Sequence, residues 1–132
     1  MAVAQELRDL VHSRAAERCE YCRIHQDDDP FFRFHIEHVV ARQHGGATVE
    51  SNLALACHHC NLHKGPNLTG IDPVTGDVVP LFNPREQRWE DHFLWRGIAI
   101  AGLTPIGRAT VRVLAINARD RLALRSLGTR GR

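Results

Sequence analysis

"HIEHVVARQHGG", residues 35–46, opens like a buried strand, yet it holds His35, Glu37, His38 and His44 within ten residues and ends on a glycine pair. Unpaired polar side chains are costly to bury, so a core strand has no use for them. A site that handles protons or metal ions does.

Outward from this stretch lie two identical cysteine pairs, "CEYC" (Cys19, Cys22) and "CHHC" (Cys57, Cys60), separated by 34 residues. Disulfides are one reading, but a reducing compartment argues against them. A redox dithiol is another, yet no thioredoxin-like βαβ pattern surrounds either pair. Two CxxC knuckles at this separation fit a tetrahedral four-cysteine site for Zn2+, which ties both ends of the strand–loop–strand element together.

The chain has 132 residues, the length of one domain, and aromatics make up only 6% of it, so Leu, Val, Ile and Ala dominate the expected core. No apolar run is long enough to span a bilayer and the N-terminus has no signal-peptide core, so a cytoplasmic protein without membrane contact is expected. Net charge is only +2, but seven arginines face one acid, Asp120, between Arg108 and Arg132. Arginine suits bidentate phosphate contact.

Apolar spacing predicts a helix over 3–16, with Val3, Leu7, Leu10 and Val11 on one face. "FFRFHIEHVV" alternates as a strand that places Phe31, Arg33, His35 and Glu37 on one side, "NLALA" is a second strand, and "CHHCNLHKG" is a short helix closed by Gly65. The acidic run Asp27–Asp29 is read as solvated. "DPVTGDVV" reads as a hairpin turning near Thr75–Gly76. Asn83, Pro84 and Glu86 form a capping box for a further helix, on which Trp89 and Phe93 share a face. Trp89, Phe93, Trp95 and His92 are read as structural. Thr104–Pro105 opens a long helix to about Leu127 with Gly128 as its stop. On its wheel Arg108, Arg112 and Arg119 fall within about 40° of one another, between two apolar faces. One apolar face is left to meet the rest of the domain, a protein partner or a second copy in a homodimer. The arginine stripe is expected to bind nucleic acid, as are His63 and Lys64 on the short helix.

Glu37 and Asn61 offer hard oxygen donors suited to Mg2+ or Mn2+, and a neutral His38 can take a proton from a water attacking phosphorus. At this point "CEYC…HIEHVVARQHGG…SNLALACHHCNLHKG" resembles the HNH endonuclease family, closely over residues 18–65. The tail, through "NLTGIDPVTGDVVPLFNPREQRWEDHF" and "GRATV", is similar to the extension of small stand-alone prokaryotic members. The resemblance implies an α+β fold, a ββα-metal core of about residues 17–66 pinned by the four-cysteine zinc site. A C-terminal extension of about 67–132 completes a single domain with flanking N-terminal and C-terminal helices. It also implies a metal-dependent DNA endonuclease in which His38 is the general base. Glu37 and Asn61 then hold the catalytic Mg2+ or Mn2+, Asn52 ties the loop, and Cys19, Cys22, Cys57 and Cys60 hold structural zinc. Asp is the commoner residue where this chain has Glu37. His35, on the same strand face as Glu37, is read as a supporting residue. The rival reading is a zinc-ribbon module that binds nucleic acid or protein without cutting; it needs the cysteines but has no use for Glu37, His38, Asn52 and Asn61.

Overall fold

The computed structural model describes residues 3–128. The alternating stretch forms strand β1 (His35–His38), paired antiparallel with β2 (Leu53–Ala56), His35 opposite Ala56 and Glu37 opposite Ala54. β1 is shorter than the alternation suggests: Phe31, Phe32 and Arg33 precede it as exposed chain. Helix α1 (Gln5–Ala15) and helix α2 (His58–Lys64) both pack on β2, so every residue of "LALA" is buried and both faces of the strand are covered.

The first cysteine knuckle closes the outer edge of β2. The Glu20 N–H donates to the Leu55 carbonyl at 2.8 Å, and the Glu20 carboxylate accepts the Leu55 N–H at 2.8 Å. One residue thereby satisfies both backbone groups of an edge position. Arg85 pairs with the same carboxylate. Trp89 Nε1 donates to the Tyr21 carbonyl at 2.8 Å, so the C-terminal half is anchored on the knuckle. The apolar core runs from Val11 and Leu55 through Tyr21 and Phe82 to Phe93, Ile100 and Ile116.

The remaining elements are the hairpin β3 (Thr69–Ile71) and β4 (Val78–Pro80), helix α3 (Trp89–His92), the hairpin β5 (Phe93–Arg96) and β6 (Ala99–Gly102), and helices α4 (Pro105–Val113) and α5 (Arg119–Leu127). The β3–β4 turn lies where Thr75 and Gly76 predict it, with Gly76 at φ 79°. Two expectations need correction. Asn83 does cap a turn: its N–H donates to Gln87 Oε1 and its side-chain oxygen accepts the Arg85 N–H, each at 2.9 Å. Gln87 rather than Glu86 closes the box, and regular helix begins only at Trp89.

The long C-terminal helix is two helices. Ala115 adopts a left-handed φ of 46°, and Asn117 bonds the Ile100 N–H at 2.9 Å and the Ile100 carbonyl at 2.8 Å. Paired to a strand residue on both backbone groups, Asn117 leaves the helical path, and Leu114 and Ile116 turn into the core. The arginine stripe dissolves with that break. Arg112 and Arg119 are exposed on different helices. Arg108 grips the buried Asp72 carboxylate with two bonds of 2.8 Å, tying α4 to the β3–β4 turn. That guanidinium holds the Asp72 carboxyl well below the usual carboxylate range. Arg130 and Arg132, counted in the basic tail, lie outside the described residues.

Candidate active site and metal centre

The four cysteines converge. Their Sγ atoms lie within 4.8 Å of one another, all four residues are buried, and none is in a disulfide. The Cys22–Cys57 separation is 3.8 Å. A tetrahedral ion with Zn–S bonds of about 2.3 Å has S···S edges of about 3.8 Å, so the residues fit zinc. Hydrogen bonds from the other thiols hold Cys22 well below the usual thiol range, while the same network and burial push Cys60 well above it. A divalent ion suits four thiolates.

Helix α5 brings two buried arginines to this centre, a feature invisible in the linear pattern. Arg121 donates to Asp29 at 3.3 Å with its Nε unpartnered. Arg125 donates to the Ile98 and Ile116 carbonyls and to Asn117 Oδ1 at 2.7, 3.0 and 2.9 Å. Burial opposes the charged form of both, and thiolates at Cys22, Cys57 and Cys60 favour it. A zinc tetrathiolate carries two net negative charges, and buried charge is tolerated only when compensated. Asp29, in the acidic run read as solvated, is in fact buried as Arg121's partner.

β1 presents its two faces differently. On the face toward α2, His35 Nε2 meets His58 Nδ1 at 3.0 Å, and Lys64 Nζ reaches the Val39 carbonyl at 2.9 Å. His58, Asn61 and Lys64 recur every three residues on α2, so they share one face of that helix. Glu37 is buried: Oε1 accepts the Tyr21 hydroxyl at 2.5 Å, and Oε2 lies 3.5 Å from Lys64 Nζ. Burial pushes its carboxyl up to about 7, against the opposing effects of Lys64 and the Tyr21 hydroxyl. Oε2 is a buried acceptor with no hydrogen bond. A buried carboxylate oxygen without a hydrogen bond suits a hard divalent cation, with Lys64 as its competitor. Lys64 itself is buried, so the expectation of an outward, DNA-facing lysine is corrected: Glu37 and the Val39 carbonyl draw it in. His63 is exposed, its Nδ1 2.8 Å from the His59 carbonyl.

The opposite face of β1 carries His38. Its Nε2 lies 2.8 Å from Thr48 Oγ1 and 3.5 Å from Arg42 Nε. Partial burial and the Arg42 charge lower its basicity below the ordinary imidazole value. The loop around it is fixed by Asn52, which accepts the Val40 N–H at 2.9 Å and donates to the Val40 and Ala47 carbonyls at 3.0 and 2.9 Å. Thr48 and Arg42 have no motif signal of their own; only the fold of this loop brings them to His38.

The model of the HNH endonuclease family matches residues 19–67, from the first cysteine through α2. Residues 19–67 belong to the HNH endonuclease family. The match suggests a nuclease that binds nucleic acid, and the four-cysteine cluster falls inside the matched segment. No curated protein and no solved structure matches the chain. Among the described residues no helix is long and apolar enough to cross a membrane.

Proposed function

We propose that the protein is a divalent-metal-dependent DNA endonuclease built on a ββα-metal core formed by β1, β2 and α2, with residues 67–132 completing the same domain. The observation that carries this reading is the loop around His38. A neutral imidazole whose Nε2 lies 2.8 Å from Thr48 Oγ1, on a loop fixed by Asn52, keeps one ring nitrogen unprotonated for a water. As that water's oxygen bonds to phosphorus, its proton passes to the unprotonated ring nitrogen and the P–O bond to the leaving oxygen breaks. The lowered basicity of His38 keeps the base neutral at working pH. Glu37 Oε2 and Asn61 would hold Mg2+ or Mn2+, which when bound supplies positive charge beside the phosphate. Tyr21 orients the carboxylate through Oε1, and Asn52 keeps the loop, hence Thr48, in place. Exposed His63, Arg112 and Arg119 remain candidates for backbone contact; Arg108 is committed to Asp72.

One observation favours the rival, non-cutting module: an ammonium already stands 3.5 Å from Glu37 Oε2, where a cation is needed. Metal dependence separates the two. Supercoiled plasmid incubated with zinc-loaded protein is nicked in Mg2+ or Mn2+ and left intact with a chelator of those ions. Glu37→Gln needs a much higher metal concentration, since a neutral amide binds a hard cation poorly. An equal metal titration for Glu37→Gln would remove Glu37 from the ligand set, and no nicking in any metal would leave the binding module.

A further inference from the structure

Four residues beyond His38, the chain comes back to it. The Ala41 carbonyl accepts the His44 and Gly46 N–H groups at 2.9 and 3.0 Å, and Gly45 sits between them at φ 88°. Gly46 lies so tightly on this turn that an added Cβ would sit 1.7 Å from the Val40 carbonyl oxygen and 2.9 Å from Asn52 Nδ2. The loop is therefore wound hard against the end of β1 and stapled there by Asn52. Its consequence is the placement of two side chains around one imidazole: Thr48 Oγ1 at 2.8 Å and Arg42 Nε at 3.5 Å from His38 Nε2. Arg42 is exposed, so its guanidinium stands on the same solvent-facing lip as the base.

We infer that Arg42 is a second catalytic residue, whose guanidinium binds a non-bridging oxygen of the phosphate attacked by the water that His38 deprotonates. This rests on the endonuclease reading. Charge builds on the non-bridging oxygens as the water's oxygen bonds to phosphorus, and a positioned guanidinium stabilises that state more than the ground state. The planar fork matches two phosphate oxygens, or one oxygen with two N–H groups, as an ammonium does not.

The test compares wild type, His38→Ala, Arg42→Gln and Arg42→Lys in metal-dependent plasmid nicking, with zinc content, melting temperature and DNA affinity measured alongside. Arg42→Gln is expected to lower kcat about 100-fold, the usual loss when one oxyanion-binding donor is removed. DNA affinity should change by no more than the loss of one phosphate contact, with zinc and melting unchanged. Arg42→Lys, which keeps the charge but not the planar fork, should recover only part of the rate. Wild-type kcat in Arg42→Gln, in a protein that His38→Ala inactivates, overturns the inference and leaves the endonuclease reading standing. A pure affinity loss with unchanged kcat also overturns it. Nicking by His38→Ala at the wild-type rate overturns both.

Discussion

Replacing Asn52 by Ala removes three hydrogen bonds with one substitution: Val40 N–H to Oδ1, and Nδ2 to the Val40 and Ala47 carbonyls. The two bonds to Val40 are partly buried and are each worth about 1 kcal/mol net; the exposed bond to Ala47 adds about 0.5. The stranded Val40 N–H costs about another 0.5 to 1 kcal/mol, giving a destabilisation of roughly 3 kcal/mol. With about 2.1 cal/mol/K of unfolding entropy per residue, the 132-residue chain is expected to melt about 10 °C lower. The assay is thermal unfolding by circular dichroism at one fixed free-zinc concentration, because bound zinc shifts the midpoint by mass action. Asn52→Asp provides the control. It keeps an acceptor for Val40 but loses both donors and sets a carboxylate against two carbonyls, so it should not rescue. Because the stapled loop carries Arg42 and Thr48, nicking should fall in Asn52→Ala even at temperatures where the protein is fully folded and zinc-loaded. A melting shift under about 2 °C, or full nicking activity with the loop unstapled, would refute this account of Asn52.

Other perturbations have equally definite outcomes. Cys57→Ala should leave the chain unfolded and zinc-free, since structural zinc contributes on the order of 10 kcal/mol to small domains; a native melting transition without zinc would contradict that. Arg121→Met should surrender zinc to a chromogenic chelator faster than wild type, whereas Arg112→Met on the exposed face of α4 should not; equal release rates would remove Arg121 from the zinc site. The Arg108–Asp72 pair predicts a pH effect. A carboxyl held below its unfolded value stabilises the fold above about pH 4 and loses that contribution as pH falls toward its folded value. Asp72→Asn should therefore lose stability at neutral pH and show a shallower acid decline than wild type; parallel melting profiles from pH 6 to 2.5 would count against the pair.

What the linear sequence reveals, and what it hides, follows from the range of the interactions involved. The knuckles, the two short strands and the helix after the second knuckle are legible because ligand spacing and alternation are local. The gap between α4 and α5 is not legible: apolar residues continue at helical spacing through Leu114–Ala118, and the helix breaks because Asn117 pairs with Ile100, a contact across β6. Lys64 reads as a surface cation because lysine is seldom buried. Its burial depends on Glu37 and the Val39 carbonyl, which come from another element. Glu37 and His38 are recognisable by pattern, but their partners Tyr21, Thr48 and Arg42 are brought in by the knuckle and the loop. The acidic run misleads in the same way, since Asp29 acquires its meaning only from Arg121 on α5.

The central claim is that His38 acts as a base while the zinc-bound fold merely holds it. It is tested most directly by plasmid nicking with His38→Ala in Mg2+ and Mn2+, on protein matched to wild type in zinc content, melting temperature and DNA affinity. The account predicts loss of nicking with all three of those properties preserved, because the His38 ring lies partly exposed and its contacts to the loop are those to Thr48 and Arg42. Nicking by folded, zinc-loaded His38→Ala at the wild-type rate would contradict it.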